Sequence, residues 1–322
     1  VKLLLTRAYK LDSQNPVAAY NLSRYFIETN ESTAAKSTLI DTLDKFKKSS
    51  QLKRRDLYKY IDTYRLAGEE YAKAQEFLRA QEHYTDGITL YTAERAAPGL
   101  QGNVKIGQLF ADQADMDYFI TGDYDNALQN YISSVELEND SPSIRYKIGY
   151  IQYKKKNYSE ALGSFMKAGD GNIKETNLML AMGNTLSLRG DNYAAQGYYE
   201  DLISKLDLQI SDRGIVLPQA SAEENELITT YLYASNNYGV TLYRLASRTG
   251  NSSFNAQAIV QFSQSVRAWD ALTRNQETLV RLGGSNLAEE NIKYITHPVP
   301  DFEPAIYTEI PRTILNNEKI SY

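Results

Sequence analysis

GDYDNALQNY (122–131), KNYSEALGSF (156–165) and GDNYAAQGYY (190–199) are three versions of one phrase, each starting 34 residues after the last. Small residues keep the interval: Ala127, Ala161 and Ala195 share one phase. A ring follows each alanine by four places, at Tyr131, Phe165 and Tyr199. Gly149 and Gly183 stand 12 places before the second and third alanine. Gly122, Lys156 and Gly190 share a further phase. A fixed interval of this length marks a supersecondary unit that recurs along the chain.

The unit is legible between the repeats. Ile144, Ile148 and Ile151 have helical spacing, KKN breaks the pattern, and a second helical pattern runs from Tyr158 through Ala161, Leu162 and Phe165. Two short helices joined by a tight turn make a hairpin. Gly149 and Ala161 are small, so the helices can close up; Phe165 fills the space beyond, and Ala168 admits the next hairpin. One hairpin buries too little apolar surface to stay folded alone, so each needs its neighbour.

This pattern resembles the tetratricopeptide repeat, a 34-residue helix-turn-helix unit with a small eighth residue, Ala at the twentieth, an aromatic at the twenty-fourth and Ala at the twenty-seventh. Starts at Gln108, Pro142 and Thr176 bring Gly149 and Gly183 to the eighth place and Ala127, Ala161 and Ala195 to the twentieth. Tyr131, Phe165 and Tyr199 then take the twenty-fourth and Ala168 the twenty-seventh. Asp115, Ser134 and Leu202 depart from the pattern. The resemblance implies an all-α, superhelical solenoid of antiparallel helix hairpins.

Weaker copies flank these units. Residues 15–43 fit a unit from Pro16, with Leu22, Ser23, Phe26, Ala35 and Leu39 in place. Upstream, Leu5 and Ala8 match only a second helix, so the array begins in mid-hairpin, as in a cut or processed chain. Residues 52–97 read as two longer helices off the interval, closed by PGLQGN at 98–103, with the next first helix near Val104. SDRGIVLPQASAEE (211–224) reads as a loop. Gly239 then takes a small place, but Ala258 lies 19 residues on where 12 are expected. The surplus reads as an insertion around RTGNSSF (248–254). Trp269 sits on an amphipathic stretch reaching about Leu282. Beyond GGSN, prolines at 298, 300, 304 and 311 favour an extended segment. That segment is expected to cap the array, to fill its groove, or to dock on another chain. The expected divisions are 1–107, 108–209, 210–282 and 283–322.

Bulk chemistry narrows the function. A net charge of -5 argues against a nucleic-acid partner. Absence of cysteine excludes disulfides, thiolate chemistry and Cys-based zinc sites. No apolar run is long enough for a transmembrane helix. KFKKSSQLKRR (45–55), the strongest basic run, reads as a solvated helix end and loop. His83 and His297 lie far apart with no motif around them. RGD at 189–191 falls in an interhelical turn, and GDG at 169–171 has too few following acids for a calcium loop. Neither G-x-x-x-x-G-K-[ST] nor G-x-S-x-G occurs. The expectation is no catalytic residue, no metal and no cofactor.

Tyrosine is abundant, with 26 copies against 9 Phe and 1 Trp, and suits both wet helix seams and binding surfaces. Partners of the tetratricopeptide family usually lie in the groove lined by the first helices. Its places correspond here to Tyr20, Asn21, Arg24 and Glu28; Met116, Phe119 and Ile120; Tyr146, Lys147, Tyr150, Tyr153 and Lys154; and Leu180, Asn184 and Leu188. Tyr146 and Leu180 stand where chaperone-binding members carry parts of a carboxylate clamp, so that clamp is not expected. A tyrosine-lined groove suits an extended or helical peptide. The leading expectation is a non-catalytic protein-interaction scaffold that assembles or braces a larger complex. The alternatives are a periplasmic receptor for a small hydrophobic ligand and an enzyme built on the array. Tyr-, Asn- and Ser-rich composition without Cys suggests a bacterial periplasm or envelope, with a cytoplasmic adaptor as the alternative. In texture the chain is similar to repeat proteins of the spirochaete periplasm, including those of the flagellar collar.

Overall fold

Glycine at the eighth place and a ring at the twenty-fourth set how closely paired helices approach. A Cβ on Gly149 would lie 2.7 Å from the Phe165 ring, one on Gly183 2.8 Å from Tyr199, and one on Gly239 2.7 Å from Phe262. Each ring therefore rests on bare backbone, and the alanine one helical turn before it is fully buried at 127, 161, 195 and 258.

The computed structural model describes residues 1–49, 56–169, 174–214, 221–273, 282, 285–297 and 303–315. Among them the chain is an all-α helix-hairpin solenoid without strands. It divides into two compact units, Val1–Ile144 and Arg145–Asn316.

The first unit contains α1 (Lys2–Leu11), α2 (Pro16–Glu28), α3 (Ser32–Lys48), α4 (Leu57–Lys73), α5 (Phe77–Glu94), α6 (Val104–Asp115), a π-helical turn (Met116–Thr121) and α7 (Tyr124–Glu136). Asn15 caps α2 by accepting from the N–H groups of Val17 and Ala18, with Pro16 at the first helical position. Residues 57–94, read as off the repeat, form a regular hairpin. A Cβ on Gly68 would overlap the Tyr84 ring, and Ala80 is buried four places before that ring. Added connecting residues shifted the phase without altering the packing rule. At Asp115, where the small residue is missing, the Tyr131 hydroxyl donates to the carboxylate instead.

The second unit begins within α8 (Pro142–Lys154) and continues through α9 (Tyr158–Ala168), α10 (Glu175–Arg189), α11 (Asn192–Arg213), α12 (Ala222–Thr249), α13 (Ser253–Leu272) and α14 (Leu287–Thr296). Three expectations need correction. SDR at 211–213 ends α11 rather than opening a loop, and Ser221 starts α12 through a reciprocal capping box with Glu224. The surplus near 248–254 mostly lengthens the two helices: α12 runs on to Thr249, Gly250 stops it at φ 70, and after a short turn α13 starts at Ser253. The early part of the supposedly extended C-terminal stretch is α14, capped by Asn286 with Glu289 and Glu290 in its first turn. Residues 50–55, 170–173, 215–220 and 274–281 fall outside the described residues, and with them much of the basic run, of GDG and of the stretch up to Leu282.

One turn geometry closes four of the hairpins, α2–α3, α4–α5, α8–α9 and α10–α11. Asn30, Gln75, Lys156 and Gly190 each have a left-handed backbone, at φ 56, 59, 63 and 89. Beyond each, the next N–H reaches back five residues, as in Asn157 to Gln152 and Asp191 to Leu186. RGD is thus a helix-ending turn, with Arg189 paired to Asp191.

Candidate functional site

An extended backbone turns the N–H and C=O of one residue to the same side, and every second residue repeats that direction. A carboxamide carries both a donor and an acceptor, so one Asn can pair with both groups. Residues 303–315 are non-helical, and two such pairs occur along them. Asn291 of α14 accepts from Ala305 N–H at 3.0 Å and donates to Ala305 C=O at 2.9 Å. Asn237 of α12 accepts from Tyr307 N–H and donates to Tyr307 C=O, both at 2.8 Å.

These amides form a buried network. Asn236 donates to Ala305 C=O at 3.0 Å and to Asn237 at 3.1 Å, and accepts from Asn291 at 2.9 Å. Asn184 of α10 donates to the carbonyls of Tyr307 at 3.1 Å and Glu309 at 3.4 Å. Its Oδ1 accepts from Asn237 at 2.8 Å and from the Tyr199 hydroxyl at 2.7 Å. Asn184, Asn236, Asn237 and Asn291 are fully buried. Partnered in this way, they avoid the penalty of buried unsatisfied amides.

Alpha-helical and extended spacing then come into step. On α8, Tyr153 donates to Thr308 C=O at 3.0 Å and Tyr146 to Pro311 C=O at 2.7 Å. On α10, Asn184 meets Glu309 and Asn177 meets Thr313 C=O at 3.2 Å. Both pairs of helical residues are seven apart, a rise of roughly 10.5 Å; the residues they meet are three apart along the segment for α8 and four apart for α10, about 10 and 13 Å at about 3.3 Å per extended residue. The segment therefore runs antiparallel to α8 and α10, ending where Lys174 N–H donates to Ile314 C=O at 2.6 Å.

Side chains anchor the segment as well. Pro304, Tyr307, Ile310 and Ile314 are buried. The Tyr307 ring stacks on Tyr233 at 4.7 Å, and its hydroxyl accepts from Leu287 N–H at the start of α14, at 3.2 Å. Burial raises the hydroxyl pKa of Tyr146, Tyr153, Tyr199 and Tyr307, so these groups keep their protons.

The other expected groove residues have different surroundings. Lys147 and Tyr150 are buried on α8. Tyr20 donates to Asp62 at 2.7 Å, while Arg24 pairs with Glu28 and lines a cleft of about 230 Å³ with Asp62, Arg65 and Lys105. Asp62 also accepts from Arg65 Nε at 2.8 Å, so much of this charge is internally paired. Met116 joins the apolar core of Ile106, Leu109 and Leu137 rather than a groove, in the π-helical turn that departs from α-helical phase. Phe119 is half-buried, edge-on to Tyr118. His83 lies against Tyr71 at 5.2 Å with its pKa lowered by burial, and His297 is exposed. Among the described residues no three His, Asp or Glu side chains could hold a metal ion, and no helix is long and apolar enough to cross a membrane.

Sequence reasoning omitted Asn177, Asn236, Asn237 and Asn291. Asn177 holds the second place of its unit, and the NN pair stands just before Gly239, so extending the groove pattern would have found them. Asn291 lies on a helix outside the repeats, where the pattern gives no signal.

The TPR repeat family model matches residues 117–162, within the regular hairpins. The matched stretch covers α7, α8 and the start of α9, so the repeat is recognised there in sequence as well as in helix pairing. No curated protein matches it significantly. Among solved structures, it is similar to YrrB, described as a TPR protein with an unusual peptide-binding site, at 16% identity and a TM-score of 0.49, over 62% of this chain and 91% of that one. BtubC (BKLC) from P. vanneervenii shares 14% identity at a TM-score of 0.47, over 68% and 92%. A tetratricopeptide repeat protein from Parabacteroides merdae shares 14% at 0.45, over 84% and 99%. Likeness at this level supports no functional transfer.

Proposed function

We propose that this chain is a protein-interaction scaffold whose second unit binds an extended protein segment along α8, α10 and α12, with its own residues 303–315 as the resident occupant. The observation that carries the reading is the two-bond pairing of Asn237 with the Tyr307 backbone. Main-chain pairing depends on extended geometry rather than side-chain identity, so a segment from another protein can use it. A partner offering such a segment would displace the tail and be joined to the array, which is how the scaffold would brace a larger complex. A bacterial envelope location, with a flagellar collar as one such assembly, rests on composition and texture alone.

The test uses the full chain carrying Tyr307→Ala, Ile310→Ala and Ile314→Ala, and a fluorescent synthetic peptide of residues 303–315. The variant is expected to bind the peptide. The unaltered chain should bind it at least about 100-fold more weakly, because a tethered segment acts at an effective concentration near millimolar. No binding to a folded variant would reject the reading.

A further inference from the structure

The resident segment leaves one amide only half used. Asn177 is 4% exposed and donates to Thr313 C=O, yet its Oδ1 has no hydrogen-bond partner among the described residues. At Asn237 and Asn291 the matching oxygen accepts a main-chain N–H. The difference follows a break in alternation. Carbonyls of Tyr307, Glu309 and Thr313 meet α10, and that of Thr308 meets α8. Regular alternation would turn the carbonyl of residue 311 toward α10, but it meets Tyr146 of α8. Residue 311 is proline, whose ring holds φ near −65° where a regular strand needs about −120° to −140°.

We infer that the groove is built for a segment that stays extended one step further than its own tail. The preferred occupant carries an aromatic residue at the Tyr307 place, aliphatic residues at the Ile310 and Ile314 places, and a residue other than proline at the Pro311 place. Its main chain then supplies Asn177 Oδ1 with the missing N–H. The tail, lacking that bond, is a weaker ligand by design and yields to such a partner. This rests on the peptide-binding reading above and specifies its ligand.

Two synthetic peptides of residues 303–315, one native and one with Pro311→Ala, are titrated against the full-length tail variant described above, with and without Asn177→Ala. The Pro311→Ala peptide is expected to bind about fivefold more tightly, the worth of one net hydrogen bond. That advantage should vanish on the Asn177→Ala background, as a double-mutant cycle requires. Equal binding of the two peptides, or an advantage that survives Asn177→Ala, overturns the inference while leaving the peptide-binding reading intact. If neither peptide binds, both fall.

Discussion

One methyl group tests the helix contacts directly. Gly149→Ala drives a Cβ into Phe165 at 2.7 Å, and overpacking of this kind costs about 1–3 kcal/mol. Gly163 is the internal control: it is helical and exposed, and a Cβ there meets nothing within 4 Å. Gly163→Ala should stabilise by about 0.5–1 kcal/mol through helix propensity. Opposite signs in urea denaturation are expected, and equal signs would mean that the ring at 165 does not set the helix separation. Lys156 supplies a second residue-level test. It holds a left-handed backbone at φ 63 where the equivalent turn has Gly190. Lys156→Gly should raise stability by up to about 1 kcal/mol in the same assay. The positions that governed these contacts were legible because sterics is local: small at eight, ring at twenty-four. Gly68 with Tyr84 obeys the same rule off the 34-residue interval, because the rule acts within a hairpin whereas the interval also depends on the connections between hairpins.

Helices and their connections were less legible than the pairs inside them. Two elements near the C-terminal end show why. The longer α12–α13 hairpin has the same glycine-ring contact as its neighbours, so the seven surplus residues had to lengthen its end, and sequence alone did not say whether as loop or helix. Residues 303–315 read correctly as non-helical from their prolines, but their partners lie on four helices spread over more than 140 residues. Long-range pairing of that kind leaves no periodic trace. Its energetic signature is measurable. The amides of Ala305 and Tyr307 are hydrogen-bonded to Asn291 and Asn237, so their exchange should be slow for an otherwise irregular segment. Asn237→Ala removes the acceptor for Tyr307. It should speed that amide's exchange by about tenfold or more while leaving the α4–α5 hairpin unchanged. Unchanged exchange at Tyr307 would show that another group protects it.

Repeat arrays are stabilised mainly between neighbours, so an isolated hairpin can open without its more distant relatives. In the second unit, segment 303–315 adds ties that skip neighbours, since it bonds to α8, α10, α12 and α14 at once. Such a strap should make this unit unfold more cooperatively than stacked hairpins alone. Trp269, the single tryptophan, is buried on α13 and reports on the unit. Removing the anchors with Tyr307→Ala, Ile310→Ala and Ile314→Ala should lower the stability seen by Trp269 emission in urea by about 2–5 kcal/mol, in the range of large-to-small core changes. The loss is capped because a released segment no longer samples its contacts. Hydrogen exchange on the same variant should separate the opening of α8 from that of α12, which the strap links in the unaltered chain. A Trp269 transition with the same midpoint and slope would mean that the segment lies on the unit without sharing its stability. In that case a partner could displace it at little cost to the fold.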